Sequence, residues 1–132
     1  MSTYVREKVL RIPLDKLGIS FTEEEEDDLG WAIENRFPDI FGYADVGRFQ
    51  LAPTYTSFVD YVLEYEYDAN GEYGKTRSLT DREKAKYLPK FQQICPDVNM
   101  DNVRLVEFCW YNGCEAPDYY NEVNDPFYHE EV

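Results

Sequence analysis

The sequence predicts an α+β domain, in which two helices pack on one face of a mostly antiparallel sheet of about four to five strands. Two observations lead to this fold class. Segments with alternating or β-branched and aromatic residues recur along the chain, and two capping-box patterns mark helix starts between them. With 132 residues, 43% of them hydrophobic, the chain (1–132) fits a single domain with a substantial core.

The first predicted element is a strand from Val5 to Ile12, where apolar and polar residues alternate. Pro13 cannot donate a ladder hydrogen bond, so it ends this strand or leaves it at an edge. A second, short strand is predicted within the segment RFQLAP, residues 48–53. A turn-rich stretch separates it from the first predicted helix.

The first helix is predicted to begin in the acidic run at residues 23–28. Thr22 and Glu25 have the spacing of a capping box, in which each side chain bonds the other residue's backbone N–H. Pro38 disfavours helical geometry at the residue before it, so one continuous helix should end there. Its apolar stripe comprises Leu29, Ala32, Ile33 and Phe37.

The middle of the chain predicts a β-hairpin around the turn DANGEYG, residues 68–74. One face of the first strand comprises Val59, Tyr61, Leu63, Tyr65 and Tyr67, and the other Asp60, Glu64, Glu66 and Asp68. The return strand, Tyr73 to Leu79, carries Lys75 and Arg77. Both cations are expected to lie opposite Glu64 and Glu66.

The last predicted elements are a helix, a strand and an irregular tail. Thr80 and Glu83 form a second capping box, and Pro89 predicts that this helix is short, kinked or split. In the strand that follows, Val106, Phe108 and Trp110 alternate against Val103, Leu105 and Cys109. The acidic C-terminal segment after Gly113 contains two prolines, so we expect it to run irregularly along the surface.

Composition argues against several classes of partner. A net charge of −14 argues against direct binding to nucleic acid or to an anionic membrane, and favours a basic protein as partner. No apolar stretch approaches the roughly 18 to 20 residues needed to span a bilayer, and no secretory leader is evident, so a cytoplasmic protein is expected. Cys95, Cys109 and Cys114 are odd in number, which favours free, buried thiols.

No motif predicts catalysis, a cofactor or a metal site. A calcium loop starting at Asp68 would need Gly where Tyr73 stands and Glu where Leu79 stands. The cysteines lack the C-x2-C spacing of zinc sites, and consecutive carboxylates point in different directions around a helix. The single histidine, His129, lies near the C-terminus, and there is no P-loop or G-x-G-x-x-G. We therefore expect a binding protein without enzymatic activity.

The negative charge is concentrated in residues 21–40 and 101–132, which carry −7 each. Favourable interaction with a helix dipole explains two or three of the carboxylates at 23–28. It does not explain Asp27 and Asp28, because like charges at i, i+4 destabilise a helix. The surplus predicts an interface for a basic partner. Candidate partner-binding residues are Glu23, Glu24, Asp27, Asp28, Glu34, Asp39, Glu64, Glu66, Asp118, Tyr119, Tyr120, Glu122 and Asp125.

In its acidic, tyrosine-rich composition, with the blocks TEEEEDD and PDYYNEVNDPFYHEEV, the chain resembles DNA-mimic inhibitors of phages and mobile elements, including anti-CRISPR proteins. The resemblance implies inhibition of a nucleic-acid enzyme, often an RNA-guided nuclease, by occupation of its DNA- or PAM-reading site. Two alternatives stay open. One is an immunity protein or antitoxin that neutralises a basic nuclease toxin, and the other is an acidic phage or housekeeping structural protein.

Overall fold

The computed structural model describes residues 4–43, 45–52, 58–68 and 73–111. These ranges form one antiparallel sheet and three α-helices, which confirms the predicted α+β class. The strands are β1 (Tyr4–Pro13), β2 (Phe49–Leu51), β3 (Phe58–Asp68), β4 (Tyr73–Ser78) and β5 (Arg104–Tyr111), in the order β2-β3-β1-β5-β4. The helices are α1 (Glu23–Glu26), α2 (Leu29–Arg36) and α3 (Asp81–Phe91), with 3₁₀ turns at Leu14–Lys16 and Met100–Asn102.

The first strand lies at the centre of the sheet and pairs antiparallel with both β3 and β5. This confirms the predicted strand, and Pro13 ends it, as its last residue, opposite Phe58. Because β1 is covered on both faces, Val9, Leu10, Arg11 and Ile12 are all buried in succession. Burial on both faces explains why the C-terminal half of this strand is apolar at nearly every position.

The predicted hairpin is wrong, because β1 and β5 lie between β3 and β4. Glu64 and Glu66 lie opposite Lys8 and Arg6 of β1, and Lys75 lies opposite Glu107 of β5. The local pattern of two strands and a turn does not encode this insertion of two distant strands. Residues 69–72 of the predicted turn lie outside the described residues.

A β-bulge also divides the predicted apolar face of β3. The register with β1 shifts between Lys8 and Val9, so Leu63 has no residue opposite it. Tyr61 therefore lies on the face that the helices cover, whereas Tyr65 lies on the opposite face, against the apolar cluster around Val62. The prediction of one continuous apolar face is wrong, because a single inserted residue exchanges the two faces of a strand.

The first predicted helix is divided in two, which corrects the expectation of a continuous helix. Asp28 leaves the helical conformation, with φ −149°, and its side chain caps α2 by accepting a hydrogen bond from the Trp31 N–H. The third helix is not split, contrary to one expectation, because Pro89 lies in its last turn and removes only one intrahelical hydrogen bond. Both predicted capping boxes are confirmed.

Two apolar clusters form on the two faces of the sheet. The larger lies beneath the helices and includes Leu10, Val59, Phe49, Phe91 and Leu105. The smaller lies on the opposite face and comprises Val5, Val9, Val62, Val106 and Phe108, with Tyr65 against it. The predicted alternation of β5 is therefore confirmed for Val106 and Phe108 against Val103 and Leu105. Cys95 and Cys109 are buried. In the described ranges, no helix has the length and apolarity needed to cross a membrane.

Candidate functional site

The candidate site centres on the acidic corner, which we define as residues 22–36. Its first turn is held by the capping box. Thr22 Oγ1 accepts a hydrogen bond from the Glu25 N–H at 3.2 Å, and Glu25 Oε1 accepts one from the Thr22 N–H at 3.0 Å. The chain then bends at Asp28, which caps α2. Two capped helix starts within six residues therefore determine the shape of this corner.

Two of the six consecutive carboxylates have clear structural roles. Besides closing the capping box, Glu25 accepts hydrogen bonds from Nε and Nη2 of Arg36, and this ion pair lowers the pKa of Glu25. The Arg36 guanidinium also lies 4.9 Å from the centre of the Phe21 ring, which favours its position. The other structural carboxylate is Asp28, the cap of α2. This role corrects the expectation that the carboxylate of Asp28 has no structural explanation.

The remaining four carboxylates of the run, those of Glu23, Glu24, Glu26 and Asp27, are exposed. No cation of the described residues lies within salt-bridge distance of any of them. Among the described residues, their mutual repulsion is therefore not offset by an ion pair of their own. Trp31 of α2 projects from the same corner with 59% of its surface exposed, which is unusual for so large an apolar side chain.

An apolar groove of about 620 Å³ lies beside the acidic corner. Leu14, Ile19, Phe21 and Leu29 supply its apolar wall, and the exposed carboxylates of Asp15 and Glu26 also line it. The groove thus combines apolar area with negative charge. Such a surface favours an apolar side chain that is flanked by cations.

A second cavity, of about 530 Å³, lies at the outer edge of β2, and we call it the edge cavity. Its wall includes Glu34, Pro38, Phe41, Tyr43, Gln50 and Leu51. The loop between α2 and β2 is held in place by Arg48, whose Nη2 donates to the backbone carbonyls of Asp39 and Phe41. The structure therefore brings the predicted interface residue Glu34 to this cavity and places Asp39, also exposed, in the adjoining loop.

Behind this edge lies a group of buried polar side chains, which we call the buried charge cluster: Glu7, Arg11, Gln50 and Asp60. Arg11 donates two hydrogen bonds to Asp60, Nε to Oδ1 at 2.8 Å and Nη2 to Oδ2 at 2.9 Å, and both residues have 0% exposure. The guanidinium also lies 5.5 Å from the centre of the Phe58 ring and 5.8 Å from that of Phe108. Bidentate pairing and ring contacts together offset the cost of removing these charges from water.

Glu7 is the third ionisable member of the buried charge cluster. Burial and, to a smaller extent, the nearby Asp60 charge raise the pKa of Glu7, while Arg11 and a hydrogen bond from Gln50 Nε2 lower it, and together they bring it to about 8. The carboxyl is therefore largely protonated at neutral pH. A neutral Glu7 leaves Arg11 and Asp60 as a balanced pair of opposite charges.

The sheet carboxylates differ from those of the acidic corner. Arg6 pairs with Glu64 at 2.8 Å, with Glu66, and with Glu107 at 3.5 Å, and Lys75 lies 3.4 Å from Glu107. Glu66 and, to a smaller extent, Glu64 raise the pKa of Arg6. The predicted interface residues Glu64 and Glu66 thus already have a cation inside the protein.

The remaining predicted site residues, Asp118, Tyr119, Tyr120, Glu122 and Asp125, lie outside the described residues. Sequence reasoning missed Trp31, Tyr43 and the Arg11–Asp60 pair. A signal for the pair was present, because a lone charge stands inside each of the apolar runs VLRIP and FVDYV. A single charge in a buried strand predicts an opposite charge on a neighbouring strand.

Among the described residues, no group of three or more His, Cys, Asp or Glu side chains is arranged to hold a metal ion. The features described above are an acidic corner, an apolar groove and an edge cavity. In comparisons with known proteins, no family model, no curated protein and no solved structure matches the chain significantly.

Proposed function

We propose that this protein binds a basic nucleic-acid-binding enzyme and inhibits it by presenting a DNA-like array of negative charge. An RNA-guided DNA nuclease is the target that this chemistry fits best. One observation carries the proposal: the acidic corner holds four exposed carboxylates that no described cation neutralises. Such charges are left available for cations of a partner.

Line density of charge supports this reading. Duplex DNA carries about one charge per 1.7 Å of its axis, and helical carboxylates rise about 1.5 Å per residue. The net charge of −14 would also steer the protein towards a basic channel. Trp31 offers a rigid anchor next to the carboxylates, as aromatic residues do at the centre of many interfaces.

In this proposal the protein has no enzymatic activity, needs no cofactor and acts in the cytoplasm of the host cell of a phage or mobile element. It binds neither nucleic acid nor membranes, because its charge repels both. The protein takes the place of DNA in the nucleic-acid site of the target.

A second candidate function is favoured by the apolar groove and the exposed Trp31. An immunity protein against one basic nuclease toxin would use such apolar anchors for high affinity, whereas charge mimicry alone does not require them. The two functions differ in range. A mimic competes with DNA on its target, whereas an immunity protein binds one toxin and leaves other DNA-binding proteins unaffected.

The test is competition for DNA on purified, guide-loaded RNA-guided nucleases and on unrelated basic nucleases. We expect the protein to displace labelled DNA, measured by fluorescence anisotropy, and to do so less well as salt rises. Failure to displace DNA from any RNA-guided nuclease would exclude the proposed target class. Tight binding to a single toxin without DNA competition would favour the immunity function.

Two variants with the same change in charge identify the surface responsible. One is Glu23→Gln/Glu24→Gln/Glu26→Gln/Asp27→Asn in the acidic corner, which spares Asp28 because it caps α2. The control is Glu64→Gln/Glu66→Gln/Glu83→Gln/Glu107→Gln, which removes four carboxylates that are already ion-paired. We expect the first variant to lose about tenfold or more in affinity and the control to lose clearly less. Equal losses would show that net charge alone matters.

A further inference from the structure

At the edge cavity, part of the outer edge of β2 has no neighbouring strand among the described residues. On the outer side of β2, both backbone groups of Phe49 are hydrogen-bonded. Its N–H donates to the Ile40 carbonyl at 3.0 Å, and its carbonyl accepts from the Gly42 N–H at 2.8 Å. This is the parallel bridge between Phe41 and Phe49. After Gly42 the chain makes no further bridge to β2 in the described part of the structure.

Leu51 is the next residue of β2 whose backbone groups lie on the outer side of the strand. The Val62 N–H donates to the Arg48 carbonyl, and the Ala52 N–H donates to the Phe58 carbonyl. The backbone groups of the even-numbered residues therefore point towards β3. Because backbone groups of a strand alternate in direction, the N–H and C=O of Leu51 point away from β3, as those of Phe49 do. No described residue bonds to them, and Leu51 lines the edge cavity.

The side chains around this edge favour a cation. Glu34 is exposed and lies in the cavity wall, and in the described part of the chain it has no ion-pair partner. Tyr43 is 83% exposed in the same wall, where its ring can stack on a guanidinium or an ammonium group. Arg48, the nearby cation, already donates to the carbonyls of Asp39 and Phe41.

We propose that the edge cavity binds an extended, basic segment of a protein partner, which adds a short strand beside Leu51. Main-chain hydrogen bonds to Leu51 fix the register, and alternate side chains enter the cavity towards Glu34 and Tyr43. This deepens the proposed function by naming the element that the partner supplies. It rests on that function only for the basic character of the partner.

The test uses a synthetic peptide of about eight residues that alternates Lys or Arg with Val and Thr, a length typical of a strand. Its control has the same sequence but carries N-methyl groups on alternate backbone nitrogens, which keeps the charge and removes strand hydrogen bonds. Binding to the full chain is followed by NMR. We expect the Leu51 amide to shift and to gain protection from hydrogen exchange, and the methylated peptide to bind about tenfold more weakly.

Two single substitutions of equal charge separate the cavity from general attraction. Glu34→Gln should weaken the affinity for the peptide about threefold or more, whereas Asp97→Asn should leave it nearly unchanged, because this exposed carboxylate lines neither the edge cavity nor the apolar groove. Equal binding of the two peptides, or an unperturbed Leu51 amide, would overturn the proposal. So would protection of Leu51 without peptide in a protein that sediments as a dimer, because the occupant would then be a second copy of the chain.

The two proposals can fail separately. Peptide binding at Leu51 with no displacement of DNA from nucleases would exclude the proposed function and keep this site. Displacement of DNA with no peptide binding at Leu51 would exclude this site and keep the function.

Discussion

The acidic corner and the buried charge cluster are both rich in ionisable groups, yet they stand in opposite relations to the fold. In the corner, four carboxylates face water without a described cation. In the cluster, Arg11 and Asp60 are fully buried and meet in a bidentate pair. Water stabilises a lone surface charge, whereas an interior charge requires a partner. Each charge of the buried pair therefore needs its partner, whereas the charges of the corner need no partner within the fold.

The largest expected effect comes from breaking the buried pair. Asp60→Ala leaves the Arg11 guanidinium without its carboxylate in the interior, so the free energy of unfolding should fall by about 3 to 5 kcal/mol. Urea denaturation measures this loss. Replacing both partners, Arg11→Met with Asp60→Leu, should recover much of it, since no buried charge remains. A loss below about 1 kcal/mol in the single variant would show that buried Arg11 does not need the carboxylate of Asp60.

An effect of similar total size, spread over several pH units, should come from pH. The pKa of Glu7 is raised from 4.5 to about 8 in the folded protein, so the folded state binds more protons than the unfolded chain between these values. Its contribution to stability is complete below pH 4.5 and is lost as pH rises to about 8, by at most about 1.4 kcal/mol per pH unit. Glu7→Gln keeps an oxygen for the Gln50 amide and should remove this decline.

Thermal unfolding between pH 5 and 9 compares the wild type with Glu7→Gln. A wild-type melting temperature that does not fall across this range faster than that of the variant would refute the role of Glu7. A second scan from pH 5 down to 2 offers a comparison of opposite sign, because Arg77 lowers the pKa of Glu83 to about 2. The stability from that pair is present above pH 4.5 and is lost as pH falls towards 2.

The smallest effects on stability are expected in the acidic corner. They should be larger for the capping residue than for the four unpaired carboxylates. Asp28→Ala removes the cap of α2 and should cost about 1 kcal/mol. Neutralising Glu23, Glu24, Glu26 and Asp27 together should change stability by no more than about 0.5 kcal/mol, in either direction. Chemical denaturation of both variants decides. If the four-residue variant lost more stability than Asp28→Ala, the four carboxylates would belong to the fold after all.

Features that depend on near neighbours could be predicted from the sequence. The capping boxes at Thr22 and Thr80 involve residues three apart, so their patterns identified both helix starts. The alternation along β5 likewise predicted that Leu105 enters the larger apolar cluster and that Val106 and Phe108 enter the smaller one. The acidic run was also correctly located, although its division by Asp28 was not foreseen, since Asp is compatible with both a helix interior and a cap.

Features that depend on distant residues could not. The strand order places β1 and β5 between β3 and β4, and the bulge at Leu63 moves Tyr65 to the opposite face from Tyr61. The strand order places Glu64 and Glu66 opposite Lys8 and Arg6 in place of the expected cations of β4. The edge cavity brings together α2, the following loop and β2, so its existence depends on how these elements pack and not on any local pattern.

By itself the sequence determined the fold class, the helix starts and the placement of the negative charge, because composition, capping and periodicity act over a few residues. The tertiary structure decided which charges have an ion-pair partner within the protein. It paired Arg11 with Asp60 and Arg6 with Glu64 and Glu66, and it left four carboxylates of the acidic corner without a described cation. The physical reason is that Coulombic attraction and burial depend on distance in space, which the order of residues along the chain does not specify.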